Sequence, residues 1–462
     1  MESSGAPLSV ARATALCTGA LLGPSLLLLP GLAYRVAGPA SILSWTGLLV
    51  LSGLIALVFA RLGTAAGSAA GAAGYARAGL GDRAGRATAW CFFAGAVTGA
   101  PVVCLIGGAY VAETLGLTGR GATVLSAAAL LTVVLVLRLR GAGSGAKLQL
   151  VLMAVLVALV AVAVLGSLPS VRAAHWHPFL SHGGRAPWHA AGLLMLAFTG
   201  WEAAAPLIPR LRSPRRDLPK VIATSFVLTA VLYLALAAAT IAVLGAQASG
   251  AAPLAGLMSA ALGTPGTWTA GIVAVVVTVG CVNAYLQGAT TMAAALAPGG
   301  GAGRQRLLTW TVTGCGALLL ACTGAGFLGT TALVAVPTSL FLCVYVVALA
   351  SGTRLLTGPV RWIAGLASLV AAVLLATTGW AGLAAAAVAC AGAVLTGGRR
   401  SRAAGGWTSA LSAEDRTAAR TEARETPEVR AAGRVVEARA VREASETRER
   451  EPEPEPYGTQ LG

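Results

Sequence analysis

The chain has 462 residues, 56% of them hydrophobic and only 11% charged, with a formal net charge of +16. A soluble protein of this size would have roughly a quarter of its residues charged, and here apolar runs near the ~20 residues that a helix needs to cross a bilayer recur from end to end. The composition therefore predicts an all-α polytopic membrane protein. The positive charge does not imply nucleic acid as a partner, because basic residues lie between apolar runs and in a C-terminal tail rather than on one face.

In chain order the apolar runs predict about twelve transmembrane helices, at 10–34, 39–60, 86–114, 121–138, 147–167, 189–209, 219–244, 268–296, 306–328, 331–353, 360–379 and 381–397. The N-terminus runs through Arg12 straight into the first of them, so no cleavable signal peptide is expected. The eight cysteines (Cys17, Cys91, Cys104, Cys281, Cys315, Cys322, Cys343 and Cys390) all fall in apolar runs without C-x-x-C or metal-ligand spacing, and read as small packing side chains. All four histidines, His175, His177, His182 and His189, lie in or at the edge of the loop between spans 5 and 6. No carboxylate or cysteine joins them, so no metal site and no cofactor is expected. Residues 1–397 are read as the membrane domain and 398–462 as a charged, disordered tail ending in EPEPEP, too poor in large apolar residues to build a core.

Lys and Arg give the orientation. If the N-terminus is cytoplasmic, that side holds Arg12, Arg61, Arg77, Arg83, Arg86, Arg138, Arg140, Lys147, Arg210, Arg212, Arg215, Arg216, Lys220, Arg304, Arg306, Arg354, Arg361, Arg399, Arg400 and Arg402. The other side holds only Arg35, Arg120, Arg172 and Arg185. Twenty against four predicts that both termini of this multi-pass chain face the cytoplasm of the cell in whose membrane it sits. Acids are rarer still. Before the tail they are Glu2, Asp82, Glu113, Glu202 and Asp217; four of these fall at span ends or in loops, and only Glu202 lies inside a span, where a carboxylate costs several kcal/mol unless a cavity, a partner or a proton receives it.

Two spans are interrupted in corresponding places. Span 1 reads CTGALLGPSLLLLPG, with Gly19, Gly23, Pro24 and Pro30, and span 6 reads LAFTGWEAAAP, with Gly200 and Pro206. Proline cannot donate to an i−4 carbonyl, and glycine tolerates backbone angles outside the helix. Backbone groups freed at that depth must face protein or a watery cavity. Breaks five spans apart are the trace of an inverted five-helix repeat with its binding site where they meet, although Gly and Pro are also frequent in ordinary membrane helices. Span 8 adds Thr278, Asn283, Tyr285, Gln287, Thr290 and Thr291. Asn283 and Gln287 share a face and with Tyr285 suit either a cavity wall or interhelical hydrogen bonds. Thr290 and Thr291 are candidate oxygen donors to sodium.

LLGPSLLLLPGLAYRVAG resembles the first-span motif of the amino acid–polyamine–organocation (APC) superfamily of permeases, and FTGWEAAAPLIPRLRSPRRDLPK resembles its sixth span and following basic loop. RLRGAGSGAKLQ and VNAYLQ are similar to a subgroup of bacterial exporters of methionine and branched-chain amino acids. The resemblance covers spans 1 to 10 and implies a LeuT-like 5+5 fold, with inverted repeats at about 10–167 and 189–353 and two peripheral helices at 360–397. It implies that the substrate carboxylate meets amides around Gly23 to Ser25 and the amino group carbonyls around Phe198 to Gly200. The substrate-binding set is then Gly19, Leu22, Gly23, Ser25, Leu196, Phe198, Gly200, Asn283 and Tyr285. Two departures stand out: Gly23-Pro24-Ser25 replaces the usual G-x-G and leaves one amide fewer, and Leu196 stands where an aromatic lid is common. A leucine lid favours aliphatic substrates, since it cannot stack a guanidinium.

Glu202, just past the second break, is expected to hydrogen-bond freed amides or to gain and lose the coupling proton. Lys147, at the start of span 5, is expected either to stand in for a coupling cation or to snorkel. The sequence has no Ser-His-Asp set, P-loop or paired carboxylates in the spans, so no enzyme is expected. Proton-coupled export of a neutral amino acid is the leading expectation. Import by proton symport and a non-transporting membrane sensor or assembly subunit are the rivals.

Overall fold

The computed structural model describes residues 8–23, 25–66, 71–140, 146–201, 207–208, 210–296 and 302–395. Apolar runs in hydrocarbon have no water to satisfy their backbone, which leaves helices as the economical solution for a chain of this kind. Among the described residues no strand forms, and an isolated bridge pairs Leu8 with Leu211.

Span 1 is two helices, α1 (Val10–Leu21) and α2 (Ser25–Ala37). Span 2 is α3 (Ser41–Ala66), followed by a short α4 (Gly71–Leu80) and then by α5 (Asp82–Thr114), which is span 3. Spans 4 and 5 are α6 (Arg120–Leu139) and α7 (Ala146–Gly166). Span 6 starts as α8 (Ala186–Leu194) and tightens into a 3-10 turn over Met195–Phe198. Span 7 is α9 (Pro214–Ala239), closed by a π-turn at Thr240–Leu244, and a second short helix, α10 (Pro253–Leu262), follows. The remaining spans are α11 (Thr264–Leu296), α12 (Ala302–Gly324), α13 (Thr330–Leu355), α14 (Pro359–Thr377) and α15 (Trp380–Leu395). Among the described residues eight helical segments are long and apolar enough to cross a membrane; α1 and α8 are shorter because they are halves of interrupted spans.

Span 6 is interrupted near Gly200, where its sequence placed the break: the helical part ends at Phe198 and Thr199 turns extended (ψ 142°). Two differences from the sequence expectation have local causes. Span 9 ends at Gly324 rather than 328, because the chain turns at Gly326 with φ +86°. Helices α4 and α10 were not expected; at 10 residues each they are too short to register as spans. They hold their places by burying Ala72, Tyr75 and Ala76 in one case and Leu254, Leu257 and Met258 in the other.

The helix contacts repeat with an offset of five spans. α3 packs on α8 as α9 packs on α1, α4 packs on α13 as α10 packs on α7, and α5 and α11, spans 3 and 8, lie along one another in the centre. Exposed tryptophans mark the two rims: Trp188, Trp268 and Trp380 near the starts of α8, α11 and α15, and Trp310 and Trp362 near the starts of α12 and α14. Indoles at helix ends are the belt expected at membrane–water interfaces.

Candidate functional site

The interruption in span 1 is compact. Leu22 leaves the helix at ψ 70°, its N–H still bonded to the Thr18 carbonyl, and the Gly23 N–H turns back to the Leu21 carbonyl at 3.0 Å. α2 restarts at Ser25, with the Leu26 N–H bonded to the Gly23 carbonyl at 3.1 Å. Its first turn presents the positive end of a helix dipole to the gap.

The span 6 interruption lies directly against this one. Gly200 adopts φ +134°, open in practice only to glycine, and a Cβ there would lie 2.9 Å from the Ala20 carbonyl oxygen. The two broken backbones therefore touch, with no space for a side chain between them.

Two tyrosines satisfy what the breaks release. The Tyr233 hydroxyl of α9 lies 2.8 Å from both the Leu21 and the Ala197 carbonyl oxygens. One phenol thus ties the end of α1 to the end of the helical part of span 6. The Tyr345 oxygen of α13 accepts from the Gly200 and Trp201 amides at 3.0 and 3.2 Å. The Trp201 indole N–H donates to Ser52 Oγ at 2.9 Å. Trp45, Phe198 and Tyr233 form an aromatic cluster against the junction, with centroids 5.3–6.0 Å apart. A second series, Tyr75–Phe59–Tyr345, joins α4 to the same point. Tyr75 lies outside the spans, and burial pushes its phenol up to about 12.

Of the expected site residues, Leu22, Gly23, Ser25, Phe198 and Gly200 come together at this junction. A Cβ at Gly23 would lie 3.9 Å from Cys281 Sγ, so α11 forms a further wall. Gly19 faces span 5 instead, where Met153 and Gln149 pack against it. Leu196 is buried, and its carbonyl accepts from its own neighbour Thr199 at 2.8 Å. Tyr285 stacks on Phe341 at 6.0 Å. Glu202 lies outside the described residues, as does the side chain of Lys147.

Asn283 is taken up by Arg138. Arg138 Nη1 donates to Asn283 Oδ1 at 3.3 Å, while Nη2 reaches the Leu286 carbonyl at 3.2 Å and Thr290 Oγ1 at 3.3 Å. This is interhelical bonding between α6 and α11, the second of the two readings that the sequence left open. It also puts a fixed positive charge on Thr290, which makes that hydroxyl a poor sodium ligand. The sequence reading missed Tyr233, Tyr345 and Arg138. Their signal was present, since a phenol or guanidinium inside an apolar span has to find a partner.

Comparison with known proteins yields a consistent set. The family model for amino acid permeases matches residues 8–352. An uncharacterized amino acid permease of Bacillus subtilis, YecA, is 29% identical over 400 residues, covering 82% of this chain and 93% of the relative. The L-methionine/branched-chain amino acid exporter YjeH of Escherichia coli is 27% identical over 393 residues, covering 81% and 92%. A shorter stretch, 117 residues and 25% of each chain, is 29% identical to the branched-chain amino acid permease BcaP of Bacillus subtilis.

Proposed function

Since the chain belongs to the amino acid permease family, and so is a multi-pass membrane protein that transports amino acids rather than an enzyme, we propose that its cargo is a neutral aliphatic amino acid, exported in exchange for protons. The observation that carries this reading is the junction itself. Two interrupted helices meet with Gly200 against the Ala20 carbonyl, and the described side chains around them are hydroxyl, thiol, aromatic or aliphatic. A zwitterion can be held there by helix-end amides on its carboxylate and by carbonyls near Phe198–Gly200 on its ammonium. A charged side chain would find no counter-ion among the described residues of that pocket wall. Export is supported by the similarity to YjeH across most of both chains.

In this proposal α1, α2 and span 6 form the moving pair, the two five-span series are inverted repeats, and α14 and α15 are peripheral to transport. Glu202, two residues beyond Gly200, is the proton-coupling group, and Lys147 is an orienting charge at the start of α7. Both termini are cytoplasmic, and residues 398–462 are a tail outside the transport domain.

The test is transport by purified protein in liposomes, with labelled leucine, methionine, lysine and glutamate on one side and an imposed proton gradient. Leucine and methionine should move against their gradient as protons move the opposite way. Movement of substrate with protons would favour import, and no movement of any amino acid would sink the transporter reading.

A further inference from the structure

The turn at Leu22–Gly23 cuts α1 off from α2, so the packing of α1 on α9 is an interface of its own. Positions 14, 18 and 21 share one face of α1, and positions 225, 229 and 233 share one face of α9. At the junction end the Tyr233 hydroxyl donates to the Leu21 carbonyl at 2.8 Å. Toward the start of α1 the Ser225 hydroxyl donates to the Thr14 carbonyl at 3.3 Å, long for a hydroxyl donor. Between these two bonds stand Thr18 and Thr229, only 0% and 2% exposed. Neither hydroxyl has a hydrogen-bond partner among the described residues.

Other helical threonines of this protein behave differently. Thr88, Thr98, Thr114, Thr240 and Thr338 turn the hydroxyl back to the carbonyl four residues earlier, at 2.6–2.8 Å. That bond is local and needs no neighbouring helix. For Thr18 the acceptor is taken, since the Thr14 carbonyl receives the Ser225 hydroxyl in addition to its helix amide. A buried hydroxyl left unpaired carries the full loss of its hydration, and a low dielectric makes that loss larger. Both hydroxyls regain water when α1 draws away from α9, so the closed interface carries a cost that the open one does not. We propose that Thr18 and Thr229 set the resting conformation: their unpaired hydroxyls destabilise the form in which α1 lies against α9, and the empty protein rests with this interface open to the cytoplasm. The proposal rests on the export reading. An exporter loads from the cytoplasm, and contacts made by the cargo at the junction then offset the cost of closure. Thr278 provides an internal control. Its hydroxyl is also buried and unpaired, but it is pressed on Gly107 between α5 and α11, outside the moving pair.

The reporter is Ser225→Cys, with the exposed native thiol Cys390 replaced by serine. Position 225 is buried against α1 and is uncovered when α1 leaves. A membrane-impermeant maleimide is added to the cytoplasmic face of inside-out vesicles holding the full chain, and labelling is read as the increment over Cys390→Ser alone. Labelling should be rapid. Thr18→Val with Thr229→Val keeps the shape and removes both hydroxyls; it should slow labelling about tenfold or more, since one unpaired hydroxyl is worth roughly a factor of ten in the equilibrium. Thr18→Ser with Thr229→Ser, and separately Thr278→Val, should label at the parent rate. The double Val variant should melt at the same temperature or higher, because no bond has been lost. Its cytoplasmic-face KM for leucine should rise as the open form becomes rarer, while the outer-face KM does not. Unchanged or faster labelling in the double Val variant would overturn the proposal, and so would a lower melting temperature, which would show that the hydroxyls were bonded. Labelling confined to the outer face would overturn it as well. If no amino acid is transported, the export reading fails, and labelling and melting still decide the role of the two threonines.

Discussion

Tyr233 and Tyr345 solve opposite halves of one problem: the first serves the carbonyls that the breaks expose, and the second serves the amides. A hydroxyl has one hydrogen, so Tyr233 can donate fully to only one of the Leu21 and Ala197 oxygens at a time. That shared bond can pass from one helix to the other as they move. Tyr233→Phe removes it while keeping the ring in its aromatic cluster. The expected result is a protein that still folds but loses about 1–3 kcal/mol through unpaired buried carbonyls, seen as a lower melting temperature, together with slowed transport. Unchanged stability and rate would mean that water replaces the phenol and that the bridge has no role. Glu202 requires a different experiment, because its proposed role is titration. Glu202→Gln retains shape and hydrogen bonding, so exchange of substrate should survive while proton-driven accumulation and its pH dependence disappear. If both proteins concentrate substrate with the same pH profile, coupling resides elsewhere and Lys147 is the next residue to replace.

At the scale of elements, the long helices were legible because a 20-residue apolar run in lipid has few alternatives, and the interruption of span 1 because Gly23 and Pro24 cannot continue a helix. What holds the span 6 break was less legible: the Gly200 and Trp201 amides just past it are bound by Tyr345, 145 and 144 positions away in sequence. The same distance hid the fate of Asn283, whose face was readable but whose partner, Arg138, stands 145 residues earlier. Periodicity reports which side of a helix a residue occupies, not what stands opposite. The contact between the two breaks gives an element-scale prediction. Gly200→Ala forces a methyl to within 2.9 Å of the Ala20 carbonyl and strains a backbone at φ +134°. Strain of that kind costs on the order of 1–3 kcal/mol, and relief requires the two helices to part. Transport should fall severely with expression retained, measured as leucine flux per molecule in liposomes. Activity close to that of the unmodified protein would show that the contact is not preserved through the transport cycle.

For the whole molecule, backbone contacts sort the chain ends and loops into two groups. The Leu8 N–H bonds to the Arg210 carbonyl at 2.7 Å, so the N-terminal segment meets the basic loop after span 6. Arg86 Nη2 donates to the Ala393 carbonyl at 3.1 Å, so the end of α15 lies beside the start of α5. On the opposite rim the Ala40 N–H bonds to the Phe179 carbonyl at 3.1 Å, and His175 Nδ1 lies 2.9 Å from the Ala242 carbonyl. These are the two groups into which Lys and Arg divide unequally, the division on which the proposed orientation rests. Cysteine accessibility tests the assignment directly. Cys390 is the exposed native thiol among the described residues and is first replaced by serine. In that background Ser181→Cys, on the exposed outer loop, should react with a membrane-impermeant maleimide in intact cells, whereas Ser213→Cys, equally exposed on the loop after span 6, should react only after the membrane is opened. Labelling of position 213 in intact cells would invert the orientation. It would also place Arg35 and Arg120 on the cytoplasmic side.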